Sequence, residues 1–357
     1  MKRHKSNWGR NLFFIIGVIA LLLMAWGIGF DNIWIHIRKT GWWFFAIIGM
    51  WLPIYIINTT ALTTIIRDNN PLNHKIPFLH ILKITLSAFA LKAATPLGFF
   101  GGDPYKIMEF KSLFGLEKAT SSVVLYTMTH ISAHIIFWVL SIVAAAIFLP
   151  IHFLDKIFLV AFFIIFSMLL FLLWRGYRKG MAFQFFHWAS HIPLIKRWGA
   201  PFFSKNQTRL YQIDQQISLL YSTRPKAFAR ALSLELLARI GNAFEVFVIL
   251  MPLNLHVTVI QSIIIYSFVS LFTNILFFSP MQIGTREGAF VLAFKAFALP
   301  AGLGVYVSLV MRVRELFWIV LGILLMKINF YRHLQPVGNV MTESSPHNEV
   351  PQQAQDE

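Results

Sequence analysis

The 357-residue sequence contains no cysteine, and it is poor in acid: 15 Asp and Glu face 31 Lys and Arg, for a formal charge of +16. Without cysteine there is no disulfide framework, no thiol nucleophile and no Cys-ligated metal site. Charged residues of both signs make up only 13% of the chain, against about 25% in soluble proteins, so water is not its main solvent. The sequence has no glycine-rich nucleotide-binding loop, so any work it does draws on an ion or lipid gradient. It also has no basic-aromatic module outside its apolar runs, so nucleic acid is not the expected partner of the positive charge.

What is present is apolar. Hydrophobic residues account for 57% of the chain, Phe occurs 36 times, and mean hydropathy is +0.64. These residues come in long runs, which fit a lipid solvent and an all-α, polytopic membrane bundle. The first run, about 11–30, follows Lys2, Arg3, Lys5 and Arg10. About 20 residues cross a bilayer core of about 30 Å, and Gly27-Ile28-Gly29-Phe30 is no signal-peptidase site, so this run is expected to span with its N-terminus inside. Further runs lie at about 42–66 (with Trp42 and Trp43 as interfacial anchors), 76–97, 119–149, 157–174, 231–253, 257–278, 284–299 and 302–326. The expectation is about seven or eight spans.

From Arg175 to Arg230, ten basic residues face one acid, Asp214, which the positive-inside rule places in the cytoplasm. Within it Leu210, Ile213, Ile217 and Leu220 recur at helical spacing, fitting a helix on the membrane surface or one packed on its own bundle. The expected organisation is a basic cytoplasmic N-terminus at 1–10, a membrane domain at 11–333 and an acidic, disordered tail at 334–357. The location is the plasma membrane.

Two apolar runs are broken by proline and glycine. Pro96 to Asp103 spans seven positions, as does Pro280 to Glu287, at an offset of 184; Phe137-Trp138 and Phe317-Trp318 recur at an offset of 180. Paired breaks in two half-repeats, re-entrant or crossing, are the pattern of repeat-built transporters with discontinuous helices. Thr95-Pro96…Gly101-Gly102-Asp103…Lys106 and Pro280…Gly284-Thr285-Arg286-Glu287-Gly288-Ala289-Phe290 resemble the two motifs of the flippase-like family. That family comprises the transmembrane region of lysylphosphatidylglycerol synthases and its stand-alone relatives, and the resemblance covers about 11–326. It implies a multi-pass bundle with a lipid-accessible cavity that moves phospholipids or lipid-linked sugars between leaflets. Full synthases carry a soluble aminoacyl-transferase domain after this region, and the sequence here continues only into the polar tail, so aminoacyl transfer is not implied. Many relatives carry a Glu-Arg pair in the helix after the first motif, where this chain has Thr127, His130 and His134.

Several residues could bind substrate or simply hold the bundle. Asp103-Pro104 fits a helix start, as does Ser279-Pro280. Gly98, Gly101 and Gly102 would equally let backbone N–H groups converge on a phosphate, with Lys92 and Lys106 adding charge. Arg286-Glu287 is either an adjacent structural pair or a headgroup site in which arginine reads a phosphate bidentately. Glu235, Arg239 and Asn242 form a stripe, with Glu235–Arg239 a favourable i,i+4 pair and Glu245 at the edge. Ser308, Arg312 and Glu315 form another, from which Arg314 points away. His130 and His134 are spaced as the start of a zinc site or as a packed pair. The expected substrate-binding set is therefore Lys92, Pro96, Gly101, Gly102, Asp103, Lys106, Glu235, Arg239, Pro280, Gly284, Arg286, Glu287, Gly288, Arg312 and Glu315. No cofactor or metal is expected.

The function this reading favours is a flippase- or scramblase-like transporter of an anionic phospholipid or polyprenyl-phosphate-linked glycan. Arg286, Arg239 and Arg312 would hold the phosphate; Asp103 and Glu287 would orient the breaks or carry a proton. The alternatives are a membrane transferase using a lipid-linked donor, with Asp103 or Glu287 as base or metal ligand, and an accessory subunit of a lipid-modifying synthase. Membrane lipids are partners in every case.

Overall fold

A computed structural model describes residues 40–67, 76–94, 101–149, 153–179, 221–253, 257–276 and 284–328, with isolated positions at 15, 19, 38, 282 and between 207 and 218. Every element among them is helical: α1 (Trp43–Gly49), α2 (Trp51–Ile66), α3 (Phe78–Ala94), α4 (Gly102–Phe114), α5 (Leu116–Phe148), α6 (Phe153–Lys179), α7 (Pro225–Leu250), α8 (Val259–Ile275), α9 (Thr285–Ala296) and α10 (Ala301–Lys327). The first expected span is described only at Ile15 and Ile19. Of the four apolar residues proposed for a surface helix, Ile217 alone is described, and it is buried in the bundle. The terminal segments 1–10 and 334–357 lie outside the described residues, as does most of the basic stretch.

Helix limits follow local chemistry. The break between α4 and α5 is Gly115 at φ +87°, a conformation that a β-carbon resists. α7 opens with Pro225, whose missing N–H costs nothing in a first turn. α8 is capped reciprocally: Thr258 Oγ1 accepts from the Gln261 amide while Gln261 Oε1 accepts from the Thr258 amide. In α2, Thr60, Thr63 and Thr64 each donate to the carbonyl four residues back, which hides their hydroxyls inside the apolar run.

Among the described residues, four helices are long and apolar enough to cross a membrane: Trp43–Ile66 (α1 and α2 together), Leu116–Phe148, Lys156–Gly176 and Pro225–Leu253. That is fewer than the seven or eight spans expected. The shortfall has three sources. The first run lies mostly outside the described residues, α3 and α8 are each 17 residues long, and α10 has 27 residues but carries Arg312, Arg314 and Glu315.

α6 lies on the outside, with Phe158, Phe162, Phe163 and Phe171 exposed as a lipid-facing surface requires. The interior is built by α2 on α7, α3 on α10, and α5 on both α7 and α8. The α3–α10 crossing is close. A β-carbon on Gly322 would lie 2.6 Å from the Leu86 carbonyl oxygen, and Ser87 donates to the Gly322 carbonyl at 2.9 Å. Small residues with an interhelical hydroxyl bond are how helices approach in lipid. Lys83, conspicuous in an apolar run, donates from α3 to the Ile328 carbonyl and so closes the C-terminal end of α10.

Candidate functional site

At the first break, α4 begins at Gly102 with Gly101 as its cap, and no side chain caps it. Asp103 is therefore not the N-cap that its sequence suggests but lies inside the first turn. Its carboxylate accepts from Lys106 Nζ at 3.1 Å and from Thr127 Oγ1 of α5 at 2.9 Å. Lys106 also sits 4.7 Å from the centre of the Tyr126 ring. Gly102 is needed for closeness: a β-carbon there would fall 2.7 Å from the Ala88 carbonyl oxygen and 3.1 Å from Lys92 Cβ. Lys92 thus stands beside the start of α4. It is exposed and makes no hydrogen bond or ion pair among the described residues, with Asp103, Lys106, Glu235 and Arg239 within electrostatic range.

Glu235 and Arg239 do not form the expected helical pair, because His130 of α5 stands between them. Its Nδ1 lies 2.6 Å from Glu235 Oε2, and Arg239 Nη2 lies 2.6 Å from its Nε2. The consistent protonation is a neutral ring that donates to the carboxylate and accepts from the guanidinium. With both ring nitrogens engaged, His130 does not start a zinc site, and the described residues hold no group of three metal-ligating side chains. His134 stacks edge-on against His130 at 5.1 Å. His134 Nδ1, Arg239 Nε and Asn242 Oδ1 are buried with no hydrogen-bond partner among the described residues.

At the second break, Gly284 caps α9 at φ +80° in open space, so glycine is required here by conformation rather than by contact. Glu287 Oε2 accepts from the Gly284 amide at 2.8 Å and closes the helix start. The same carboxylate takes Ser308 Oγ at 3.0 Å and both Nε and Nη2 of Arg312. Arg286 does not pair with Glu287. Its Nη1 donates to Glu315 Oε2 at 2.8 Å, and its Nη2 donates to Gln282 Oε1 at 2.9 Å. A third arginine, Arg314, turns to the other side of α10 and meets Glu245 of α7 through two bonds of 2.8 Å. Its guanidinium lies 3.8 Å from the centre of the Trp51 ring.

These groups lie at the two motif-bearing breaks and on the faces of α5, α7 and α10 beside them. A family model described as the lysylphosphatidylglycerol synthase TM region matches residues 12–323. The chain belongs to that family. Comparison with curated proteins and with solved structures finds no match.

Within this flippase-like framework, Lys92, Gly101, Gly102, Asp103, Lys106, Glu235 and Arg239 gather at the first break. Gly284, Arg286, Glu287, Arg312 and Glu315 gather at the second. Gly288 is in the second turn of α9 and makes no close approach; Pro96 and Pro280 lie outside the described residues. Tyr266 of α8 is within electrostatic range of Arg239 of the first cluster and of Glu245, Arg286 and Arg314 of the second, which links the two as one polar band. Sequence reading left out Gln282, Thr127 and the Glu245–Arg314 pair. Gln282 carries φ +55°, unusual for a side-chain-bearing residue, and only its place inside the break marks it in the sequence.

Proposed function

We propose that this chain is a flippase-like transporter that moves an anionic phospholipid or polyprenyl-phosphate-linked glycan between leaflets. The observation that carries this reading is the polar band itself: paired charges, and a guanidinium with one donor unused among the described residues, buried inside a bundle whose outer helix α6 presents phenylalanine. Ionisable groups in such a setting mark a substrate path. The two halves supply the moving parts. α3, α4 and α5 recur as α8, α9 and α10, with 17 residues matching 17 and 13 matching 12. The contacts exchange in the same way, α3 on α10 and α8 on α5. On this reading all of 11–333 is one membrane domain of seven or eight passes, the breaks lie within it, and rocking of the halves exposes the band to each leaflet in turn.

The transferase reading has weaker support, since the carboxylates of both breaks are engaged by cations and hydroxyl donors. Reconstitution into liposomes with a fluorescent phosphatidylglycerol separates the two. The expected result is loss of leaflet asymmetry with the lipid chemically unchanged. A covalently altered lipid would overturn transport in favour of transfer.

We also propose that the N-terminus and residues 175–230 share the cytoplasmic face, because both are rich in Lys and Arg. With no native cysteine, a single Lys205→Cys variant reports this cleanly. It should resist an impermeant maleimide in intact cells and react once the membrane is opened. Labelling from outside would reverse the topology.

A further inference from the structure

The two breaks are unlike in charge. At the second, Arg286, Arg312 and Arg314 meet Glu315, Glu287 and Glu245, one carboxylate for each cation. At the first, three cations (Lys92, Lys106 and Arg239) face two carboxylates (Asp103 and Glu235). They also differ at the helix start. Glu287 closes the first turn of α9 with its own carboxylate. Among the described residues no side chain caps the first turn of α4, and Asp103 turns to Lys106 and Thr127 instead. A third difference concerns unused donors. Among the described residues Lys92 makes no hydrogen bond or ion pair, and Arg239, only 9% exposed, keeps its Nε without a hydrogen-bond partner.

We propose that the phosphate of the transported lipid rests at the first break, between the Lys92 ammonium, Arg239 Nε and the first turn of α4, and that the second break is a self-neutralised clasp. This rests on the transport reading above and narrows it to one cluster. The excess of one positive charge matches a phosphodiester bearing one negative charge. Such an anion completes the local neutrality and satisfies the buried guanidinium nitrogen, while amide dipoles at the helix start favour it further. At the second break the same anion would have to displace a carboxylate from an arginine, exchanging one charged contact for another with no gain. His130 occupies Arg239 Nη2, and the Nε of the same guanidinium is left without a partner among the described residues.

The test is a binding measurement in neutral detergent, so that it does not depend on transport. Purified protein is titrated with phosphatidylglycerol in mixed micelles and, separately, with inorganic phosphate. Lys92→Gln removes an exposed charge that makes no hydrogen bond or ion pair among the described residues, and it should weaken phosphatidylglycerol binding about tenfold, the effect of one charge-assisted contact. Lys92→Arg should restore binding, and Lys111→Gln, an exposed lysine at the far end of α4, should match wild type. Wild-type affinity in Lys92→Gln, or an equal loss in Lys111→Gln, would overturn the site. Lys92-dependent binding of inorganic phosphate without binding of phosphatidylglycerol would overturn a lipid as its ligand. If liposomes show no exchange while Lys92-dependent binding persists, the transport reading fails and the anion site stands.

Discussion

Glu245→Ala is expected to remove most of the folded protein from the membrane. Arg314 is 4% exposed and Glu245 is 0% exposed, and the two are joined by paired bonds of 2.8 Å. Removing the carboxylate leaves the Arg314 guanidinium inside the bundle, against the Trp51 ring, without its paired acceptor. Breaking a buried pair from one side costs about 3–5 kcal/mol, a large part of the roughly 5–15 kcal/mol that holds an ordinary domain together. Thermal unfolding followed by size-exclusion chromatography in detergent checks this. The double variant Glu245→Leu with Arg314→Met removes both charges and should recover much of the loss, since apolar replacements of buried pairs are often neutral. A Glu245→Ala protein that melts with wild type would show that water or lipid headgroups reach Arg314.

The second large effect concerns Arg286 and Glu287. Exchanging these neighbours (Arg286→Glu with Glu287→Arg) would be mild if they were partners. The structure gives each a different partner on α10: Arg286 meets Glu315, and Glu287 meets Arg312. The exchange therefore sets a glutamate against Glu315 and an arginine against Arg312, and it strips the carboxylate from the Gly284 amide. Two like-charge contacts in a weakly screened interior should cost several kcal/mol. Folded yield and melting temperature are expected to collapse. Arg286→Glu with Glu315→Arg keeps the sign relation across the helices and should retain considerably more of both. Equal stability in the two exchanged proteins would overturn the pairing.

These cases show where the sequence was legible. Apolar run length marks α5, α6 and α7 directly, since lipid rewards uninterrupted apolar residues whatever their partners. The breaks are legible as well, because glycine at Gly102 and Gly284 answers a local demand. The reasons differ, close contact at one and positive φ at the other, and sequence does not separate them. The pairings were hidden. Arg286 and Glu287 are adjacent in the chain, yet consecutive residues on a helix point about 100° apart and meet different neighbours. Glu245 and Arg314 are 69 positions apart and join only because α7 and α10 are rotated to face each other. His130, spaced as half of a metal pair, serves as the bridge between Glu235 and Arg239, which depends on how α5 lies across α7.

The clasp of Lys83 onto the last turn of α10 also bears on how the protein is made. The two residues it joins are separated by 245 positions. At synthesis rates of about 5–20 residues per second, roughly 10–50 s pass between the emergence of α3 and the arrival of the carbonyl that receives its lysine. During that interval α3 has neither the Gly322 surface that its Ser87 bonds nor the partner for Lys83, and Lys92 adds a second charge to the same 17-residue helix. Such a segment gains little by entering lipid alone. It waits at the membrane surface or within the insertion machinery until the other half of the chain arrives, so the completion of translation, rather than the insertion of each helix in turn, sets the moment at which the bundle closes.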